Sequence, residues 1–87
     1  MRRFLAESYV GSPDGLDASV ARARSAAESL RREGVPIRHV RSTLVPEEEL
    51  CLHIFDAPTA TAVGLAGERA ALHLARIVEV VEMREQK

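Results

Sequence analysis

The chain has 87 residues, of which 46% are apolar and 29% are charged, and its 12 basic and 13 acidic residues leave a net charge of −1. This composition predicts a folded protein rather than a disordered one. The length allows one small domain over 1–87, with an ordered core at about 3–83 and a polar tail at 84–87. The arginines are spread among glutamates and form no basic stripe, so we expect no nucleic-acid partner.

A single cysteine, Cys51, cannot form an internal disulfide. This favours a reducing compartment, and we expect the cytoplasm. The basic start at Arg2 and Arg3 resembles the start of an export signal, but Glu7 interrupts the apolar run that would have to follow, so we expect no export. No apolar run approaches the length needed to cross a bilayer, so we expect no membrane partner either.

Residues 3–10 alternate in the manner of a strand and end at the turn cluster GSPDG at 11–15. Apolar positions then recur every three or four residues from Val20 to Leu30, which predicts an amphipathic helix. Asp17 is a suitable N-cap for this helix, and Gly34 stands where a left-handed residue is wanted past its end. The first part of the chain therefore predicts a strand followed by a long helix.

Residues 37–45 and 49–55 have the pattern of strands, and the short connection at 46–48 predicts that they pair as a hairpin. The second helix is expected to begin at Asp56-Ala57-Pro58, because proline is tolerated in a first helical turn. β-Branched residues at 76–83 predict a closing strand. The order of elements predicts an α+β ferredoxin-like sandwich, βαββαβ, whose antiparallel strands lie in the order 4-1-3-2 with both helices on one face.

A period of two along each strand divides the predicted sheet into two faces. The more uniformly apolar set is expected to face the helices: Phe4, Ala6, Val10, Val40, Leu44, Leu50, Leu52, Ile54, Val78 and Val80. The opposite face then carries Leu5, Glu7, Tyr9, Ile37, His39, Arg41, Thr43, Cys51, His53, Phe55, Ile77, Glu79 and Val81. This mixture leaves an apolar patch that a monomer rarely exposes, so we expect a homodimer that stacks two sheets face to face.

The stretch ELCLHIFDAP at 49–58 places Cys51 and His53 on one face of a strand. A hairpin that turns at 46–48 is expected to pair three positions with this strand: Thr43 with Cys51, Arg41 with His53, and His39 with Phe55. Carboxylates on the neighbouring strands would complete a polar band across the sheet: Glu79, Glu7, His53 and Arg41.

This band allows three interpretations. As a catalytic site, His53 or Glu7 would act as acid and base, and Tyr9 and Arg41 would orient a small organic substrate. As a metal site, the ligands of a soft or borderline ion would be Cys51, His53 and His39. As part of a dimer interface, the charged groups would only neutralise one another.

The block REGVPIRHVRSTLVPEEELCLHIFDAPTATAV at 32–63 carries the pattern C-x-x-x-x-D-A-P before the second helix. With the alanine-rich first helix and the closing RIVEVVEM strand, it resembles the short ferredoxin-like domains of the nickel-binding-protein-like family. The resemblance implies a two-layer sandwich that dimerises through its sheets and binds a divalent metal such as nickel. The same sandwich is similar to dimeric α+β barrel proteins, which include cofactor-independent oxygenases, isomerases and cyclases.

From these observations we expect a small dimeric protein that binds a divalent metal or a small molecule at the sheet. The alternative is a cofactor-independent enzyme acting on a small organic substrate, in which Ser8, Ser42 and Tyr9 could place polar groups around a small cavity lined by alanines.

Overall fold

The computed structural model describes residues 1–10 and 14–83. Its elements in chain order are β1 (Arg2–Tyr9), α1 (Asp14–Arg32), β2 (Arg38–Val45), a 3-10 turn (Pro46–Glu48), β3 (Leu50–Ala57), α2 (Ala60–Arg69) and β4 (Leu74–Val80). Most of the predicted turn cluster, at 11–13, and the predicted polar tail at 84–87 lie outside the described residues.

The strands form one antiparallel sheet in the order β2-β3-β1-β4, and both helices pack on the same face of it. This is the predicted order 4-1-3-2, so the ferredoxin-like βαββαβ fold is confirmed. β1 and β3 occupy the centre and β2 and β4 the edges. Among the described residues, no helix is both long enough and apolar enough to cross a membrane.

Backbone hydrogen bonds define the end of α1 as the sequence predicts. Gly34 has a φ of 98°, and its N–H donates to the Arg31 carbonyl at 3.0 Å. The N–H of Val35 donates to the Leu30 carbonyl at 2.9 Å, which completes a Schellman motif. The beginning of α1 differs from the prediction: the helix starts at Asp14, so Asp17 lies within the first turn and is not the N-cap.

The start of α2 also differs from the prediction. The helix begins at Ala60, where the Thr59 hydroxyl oxygen accepts a hydrogen bond from the Ala62 N–H at 3.2 Å. Asp56 and Ala57 belong to β3 instead, because Asp56 is held in the sheet by Arg3 of β1, with Nε 2.7 Å from Oδ1. The Thr59 cap thereby satisfies one of the N–H groups that the first turn of a helix leaves without a partner inside the helix.

The apolar core lies between the helices and the face of the sheet that they cover. Phe4 pairs with Phe55 across β1 and β3, and both rings are buried against the helices. The helical side chains of this core are mostly alanines, with one leucine and one valine: Ala23, Ala27, Leu30, Ala62, Val63 and Ala66. Small helical side chains bring the helices close to the sheet, and the space that is left is filled by large sheet side chains.

This packing reverses the predicted faces of β3 and β4. Cross-strand partners share a face, and Ala6 pairs with His53 on one side and with Ile77 on the other. The helix-facing positions wrongly assigned to the opposite face are therefore Ile37, His39, Cys51, His53, Phe55, Ile77 and Glu79. Five residues predicted to face the helices lie on the opposite face of the sheet: Leu50, Leu52, Ile54, Val78 and Val80.

A β-bulge in β2 changes the alternation along that strand. His39 pairs with Phe55 as predicted, but the register shifts before Arg41, and Val40 is the extra residue. Beyond the bulge, Ser42 pairs with His53 and Leu44 with Cys51. The predicted pairs of Arg41 with His53 and of Thr43 with Cys51 are therefore wrong by one residue, and His39 and Ser42 share the helix-facing side although they are three positions apart.

The side of the sheet away from the helices, here called the open face, is apolar at its centre and charged at one end. The central side chains are Leu5, Leu52, Ile54 and Val78. The charged end is a connected set of ion pairs: Arg3–Asp56 at 2.7 Å, Arg3–Glu82 at 2.9 Å, Arg41–Glu82 at 3.1 Å and Arg38–Asp56 at 3.4 Å. These charges largely neutralise one another on the protein itself.

Candidate functional site

A chain of polar side chains crosses the helix-facing side of the sheet beside the apolar core. It begins at Ser8 on β1, passes through His53 on β3, and ends at Ser42 and His39 on β2. Each position follows from the register, because Ser42 is the direct partner of His53 and the bulge turns His39 to the same side. His53 and Ser8 are buried, at 0% and 2% exposure, and His39 is 8% exposed.

Hydrogen bonds run without interruption along this chain. Ser8 Oγ lies 3.2 Å from His53 Nε2, and Ser42 Oγ lies 2.7 Å from His53 Nδ1. The Ser42 hydroxyl also lies 2.8 Å from His39 Nε2, so it joins the two imidazoles. The remaining ring nitrogen, Nδ1 of His39, is buried and has no hydrogen-bond partner among the described residues. A buried polar atom without a partner costs stability, so this end of the chain is incomplete by itself.

Because Ser42 has a single hydroxyl proton, it can donate to only one of the two rings, and each choice gives one arrangement of protons along the chain. If Ser42 donates to His53 Nδ1, then His53 donates to Ser8 and His39 Nε2 donates to Ser42, which leaves His39 Nδ1 as an acceptor. If Ser42 donates to His39 Nε2, then every hydrogen bond reverses and His39 Nδ1 carries a proton that has no acceptor. A group bound at His39 would therefore determine the direction of all the hydrogen bonds back to Ser8.

Both histidines are uncharged at neutral pH in this environment. Burial, with a smaller repulsion from His39, lowers the pKa of His53 to about 4. Burial also lowers the pKa of His39, assisted by the positive charge of Arg24. The rings pack against an aromatic neighbour, with the Phe55 centroid 5.5 Å from that of His39. Neutral imidazoles in this layer can donate and accept hydrogen bonds, but they do not supply a charge.

Cys51 lies beside this chain of hydrogen bonds. Its Sγ is 4.0 Å from His53 Nδ1, and burial raises the pKa of the thiol. The sequence-predicted metal ligands Cys51, His53 and His39 are thus brought together, yet the Ser42 hydroxyl lies between the two imidazoles. Within the described ranges, no group of three or more His, Cys, Asp or Glu side chains is arranged to hold a metal ion. A bound metal would require Ser42 to leave its place between the rings.

Several residues of the predicted polar band lie elsewhere. Glu7 lies on the open face and pairs with Arg76, with Nε 2.9 Å from Oε2. Arg41 is also on the open face, paired with Glu82, and Tyr9 is 70% exposed at the end of β1. Glu79 faces the helix side and pairs with Arg2 at 2.7 Å. The band therefore does not form around His53, and any catalytic role of Glu7, Tyr9 or Arg41 stays a prediction.

Ser8 and Ser42 are the contributors that the sequence reasoning underestimated. The sequence predicts both only as polar lining of a cavity and does not group them with the histidines. The position of Ser8 can be predicted from the sequence, because alternation along β1 places it with Phe4 and Ala6 on the helix-facing side. The position of Ser42 cannot be predicted in this way, because regular alternation puts Ser42 and His39 on opposite faces, and only the bulge brings both to the same face.

No family model matches the chain, and no curated protein matches it. Among solved structures, the chain is similar to SCO4226 from Streptomyces coelicolor A3(2), with 19% identity, a TM-score of 0.70 and coverage of 94% of this chain and 99% of that one. It also matches an antibiotic biosynthesis monooxygenase at 14% identity and a TM-score of 0.47, covering 97% of this chain and 100% of that one. The first likeness, at 19% identity, concerns the fold alone.

Proposed function

We propose that this protein binds a small organic molecule at the His39 end of the buried chain of hydrogen bonds, between the sheet and α1. The observation that supports this proposal is Nδ1 of His39, a buried polar atom left without a partner at the end of a chain in which the other ring nitrogens are paired. A ligand hydroxyl or carbonyl would complete the chain.

The position of His39 suits a ligand that is partly apolar. His39 lies on an edge strand and retains 8% exposure, whereas its Nδ1 is buried, so a ligand approaching that edge must displace the side chains that cover this nitrogen. The ring of Phe55 packs edge-on against the imidazole at 5.5 Å and supplies an apolar wall. The matching ligand has one hydrogen-bonding group attached to an apolar body.

Phenol and cyclohexanone are suitable probes for this proposal, because one offers a hydroxyl donor and the other only an acceptor. The measurement is the ¹⁵N shift of the histidine side chains during titration with each probe. Phenol is expected to favour His39 Nδ1 as an acceptor, and cyclohexanone to favour it as a protonated donor. His73, which is exposed and outside the chain of hydrogen bonds, serves as an internal control.

The variant Ser42→Ala removes the link between the rings and should confine any shift to His39, whereas the native protein should transmit it to His53. If neither probe moves the His39 signals in a saturable way, or if His73 moves equally, the proposal is wrong. Nickel chloride is the third titrant. Saturable broadening of both His39 and His53 that depends on Cys51 would favour the predicted metal site instead.

Catalysis by this site is the second proposal, and it has a narrower basis. Reversal of the hydrogen bonds moves protons between Ser8 and His39, which is the behaviour of a relay. A pKa of about 4 makes His53 a weak base at neutral pH, so His53 is better suited to passing a proton than to abstracting one. The cofactor-independent enzyme alternative therefore depends on a substrate that already delivers its proton to His39.

We further propose that a second copy of this chain covers the open face. Its centre is apolar, and the surrounding charges are already paired within the protein, so the surface does not call for a partner of opposite charge. Apolar centres with polar rims are typical of subunit interfaces. The homodimer would then form through Leu52 and Ile54 of β3, and not through Cys51 and His53 as the sequence analysis predicts.

A further inference from the structure

A groove of about 230 Å³ lies between α1 and the end of α2, and none of its lining residues belongs to the buried chain of hydrogen bonds. Its lining consists of Arg22, Ser25, Ala26, Ser29, Arg69 and Ala70. The α1 members recur every three or four residues and so form one stripe along that helix. Ala26 and Ala70 are buried, while both arginines are exposed, so guanidinium groups and hydroxyls stand around an alanine floor.

Arg22 enters the groove from α1 in a fixed position. Its Nε donates to the Ala70 carbonyl oxygen at 2.8 Å, and its Nη2 makes only a long contact of 3.5 Å to the Ser19 hydroxyl. Nη1 has no hydrogen-bond partner among the described residues. The contact with Ala70 orients the guanidinium group in advance and leaves its outer nitrogens available to a ligand.

Arg69 enters from α2 on the opposite side. Its Nη1 donates to the Ser29 hydroxyl at 3.1 Å, and the guanidinium pairs with Glu33 through both of its Nη atoms. The side chains of Arg69 and Glu33 are 40% and 53% exposed. Both groups of this pair are accessible to solvent, so a more highly charged anion can displace Glu33 from Arg69.

We propose that this groove binds the phosphate group of a small molecule between Arg22 and Arg69. Arginine matches phosphate geometry with two parallel hydrogen bonds, and the hydroxyl of Ser25 adds a donor. The Ser29 hydroxyl donates to Glu33 Oε2 at 3.4 Å and becomes available to the phosphate when Glu33 is displaced from Arg69. Two guanidinium groups and two hydroxyls offer more donors than the two oxygens of a carboxylate can use, whereas phosphate presents three or more acceptor oxygens. The volume accommodates a small ligand and not a large one.

The test is a titration with inorganic phosphate and with glycerol 2-phosphate at constant ionic strength, followed by backbone amide shifts in two-dimensional NMR. Saturable shifts confined to residues 22–29 and 69–70 are expected. Tighter binding of the ester would identify a phosphorylated metabolite as the ligand class, and equal binding would show that the phosphate group alone is recognised. The absence of saturation by either titrant below roughly 10 mM would overturn the proposal.

Charge variants make the test specific. Arg22→Gln should weaken binding by about tenfold, because a charge-assisted hydrogen bond is lost. Glu33→Gln should strengthen binding, since Arg69 is then released from its competitor. Arg32→Gln, an exposed α1 substitution outside the groove, is the matched control. Equal weakening by Arg32→Gln and Arg22→Gln would mean diffuse attraction to a positive helix and would contradict a built site.

Because Arg22 also contacts the end of α2, weaker binding by Arg22→Gln counts as evidence for the site only when the amide spectrum shows that the fold is intact. Ser25→Ala removes one hydroxyl donor without touching that contact and should weaken binding by a smaller factor. A native affinity in Ser25→Ala, together with no gain in Glu33→Gln, would contradict the proposal even if Arg22→Gln unfolds the protein.

Discussion

His53 is fully buried and uncharged in the folded protein, and this lowers the free energy of unfolding at low pH. Its pKa falls from 6.5 in the unfolded chain to about 4 in the folded protein. Between these values the unfolded chain binds a proton that the folded protein does not. The contribution of His53 to stability is therefore complete above pH 6.5, is lost progressively as the pH falls to about 4, and does not change further below that.

We predict that the free energy of unfolding decreases by about 3 kcal/mol between pH 6.5 and 4 on account of His53, as a difference of this size in pKa implies. Urea titrations at several pH values measure it. His53→Gln should be less stable at pH 7 and should show a shallower pH dependence. Lowered carboxylate pKa values, such as that of Asp56 beside Arg3, act equally in both proteins and cancel in the comparison.

The control for this prediction is His73→Gln, which removes an exposed histidine and should leave the pH dependence unchanged. Parallel stability curves for His53→Gln and the native protein would contradict the prediction. A residual slope in His53→Gln is expected, since the pKa of His39 is lowered by burial as well.

At the scale of elements, α2 contains two glycines whose surroundings differ. A Cβ on Gly64 would lie 3.9 Å from Ile77 Cδ1, an ordinary contact. A Cβ on Gly67 would overlap Leu74 Cδ1 and lie 2.9 Å from its Cγ, so either the Leu74 side chain or the helix would have to shift. Only Gly67 is therefore required for the packing of α2 on the sheet.

We predict that Gly64→Ala raises the free energy of unfolding by about 0.5–1 kcal/mol, because alanine is the better helix former. Gly67→Ala should lower it by about 1 kcal/mol or more despite the same gain in helix propensity, because the added methyl group overpacks the contact with Leu74. Thermal and urea unfolding of the pair measures the difference. Equal effects of the two substitutions would show that α2 or the Leu74 side chain can shift at no cost.

The elements themselves could be predicted because their signals are local. Gly34 ends α1 in the left-handed conformation that its lack of a side chain permits, and the predicted strands and the order of the sheet agree with the structure. The predicted helix starts were less accurate. Helix α1 begins at Asp14, so Asp17 is not its cap, and α2 begins after Thr59 because β3 continues through Ala57.

The faces of β3 could not be predicted in the same way. Leu52 and Phe55 are both apolar, so alternation separates them without saying which one meets the helices. Side-chain volume determines which of the two is buried, because the alanines of α1 and α2 leave space that Phe55 fills beside Phe4. The candidate site was predicted in part, because Cys51, His53 and His39 do meet, but their partners Ser8 and Ser42 depend on this packing and on the bulge.

The molecule as a whole consists of one sheet with helices on one side, which leaves the open face to be explained. We predict that the protein sediments as a dimer of about twice 9.5 kDa, and that Leu52→Glu converts it to a monomer by placing a charge in the apolar centre of that face. Analytical ultracentrifugation measures the mass directly.

Leu65→Glu is the matched control for the dimer, because Leu65 lies on α2 and is already 44% exposed. It should leave the dimer intact. If the native protein sediments as a monomer at about 100 µM, or if Leu65→Glu dissociates it as readily as Leu52→Glu does, the open face is not the contact between copies.

The bulge at Val40 also bears on how relatives of this site should be recognised. Because Val40 is an additional residue, a chain lacking it would carry the histidine and the serine two positions apart on an unbroken strand and present the same pair to the helices. An alignment that forbids gaps within strands would pair the wrong residues of two such chains. Searches for kindred proteins should therefore accept both H-x-S and H-x-x-S opposite the central histidine.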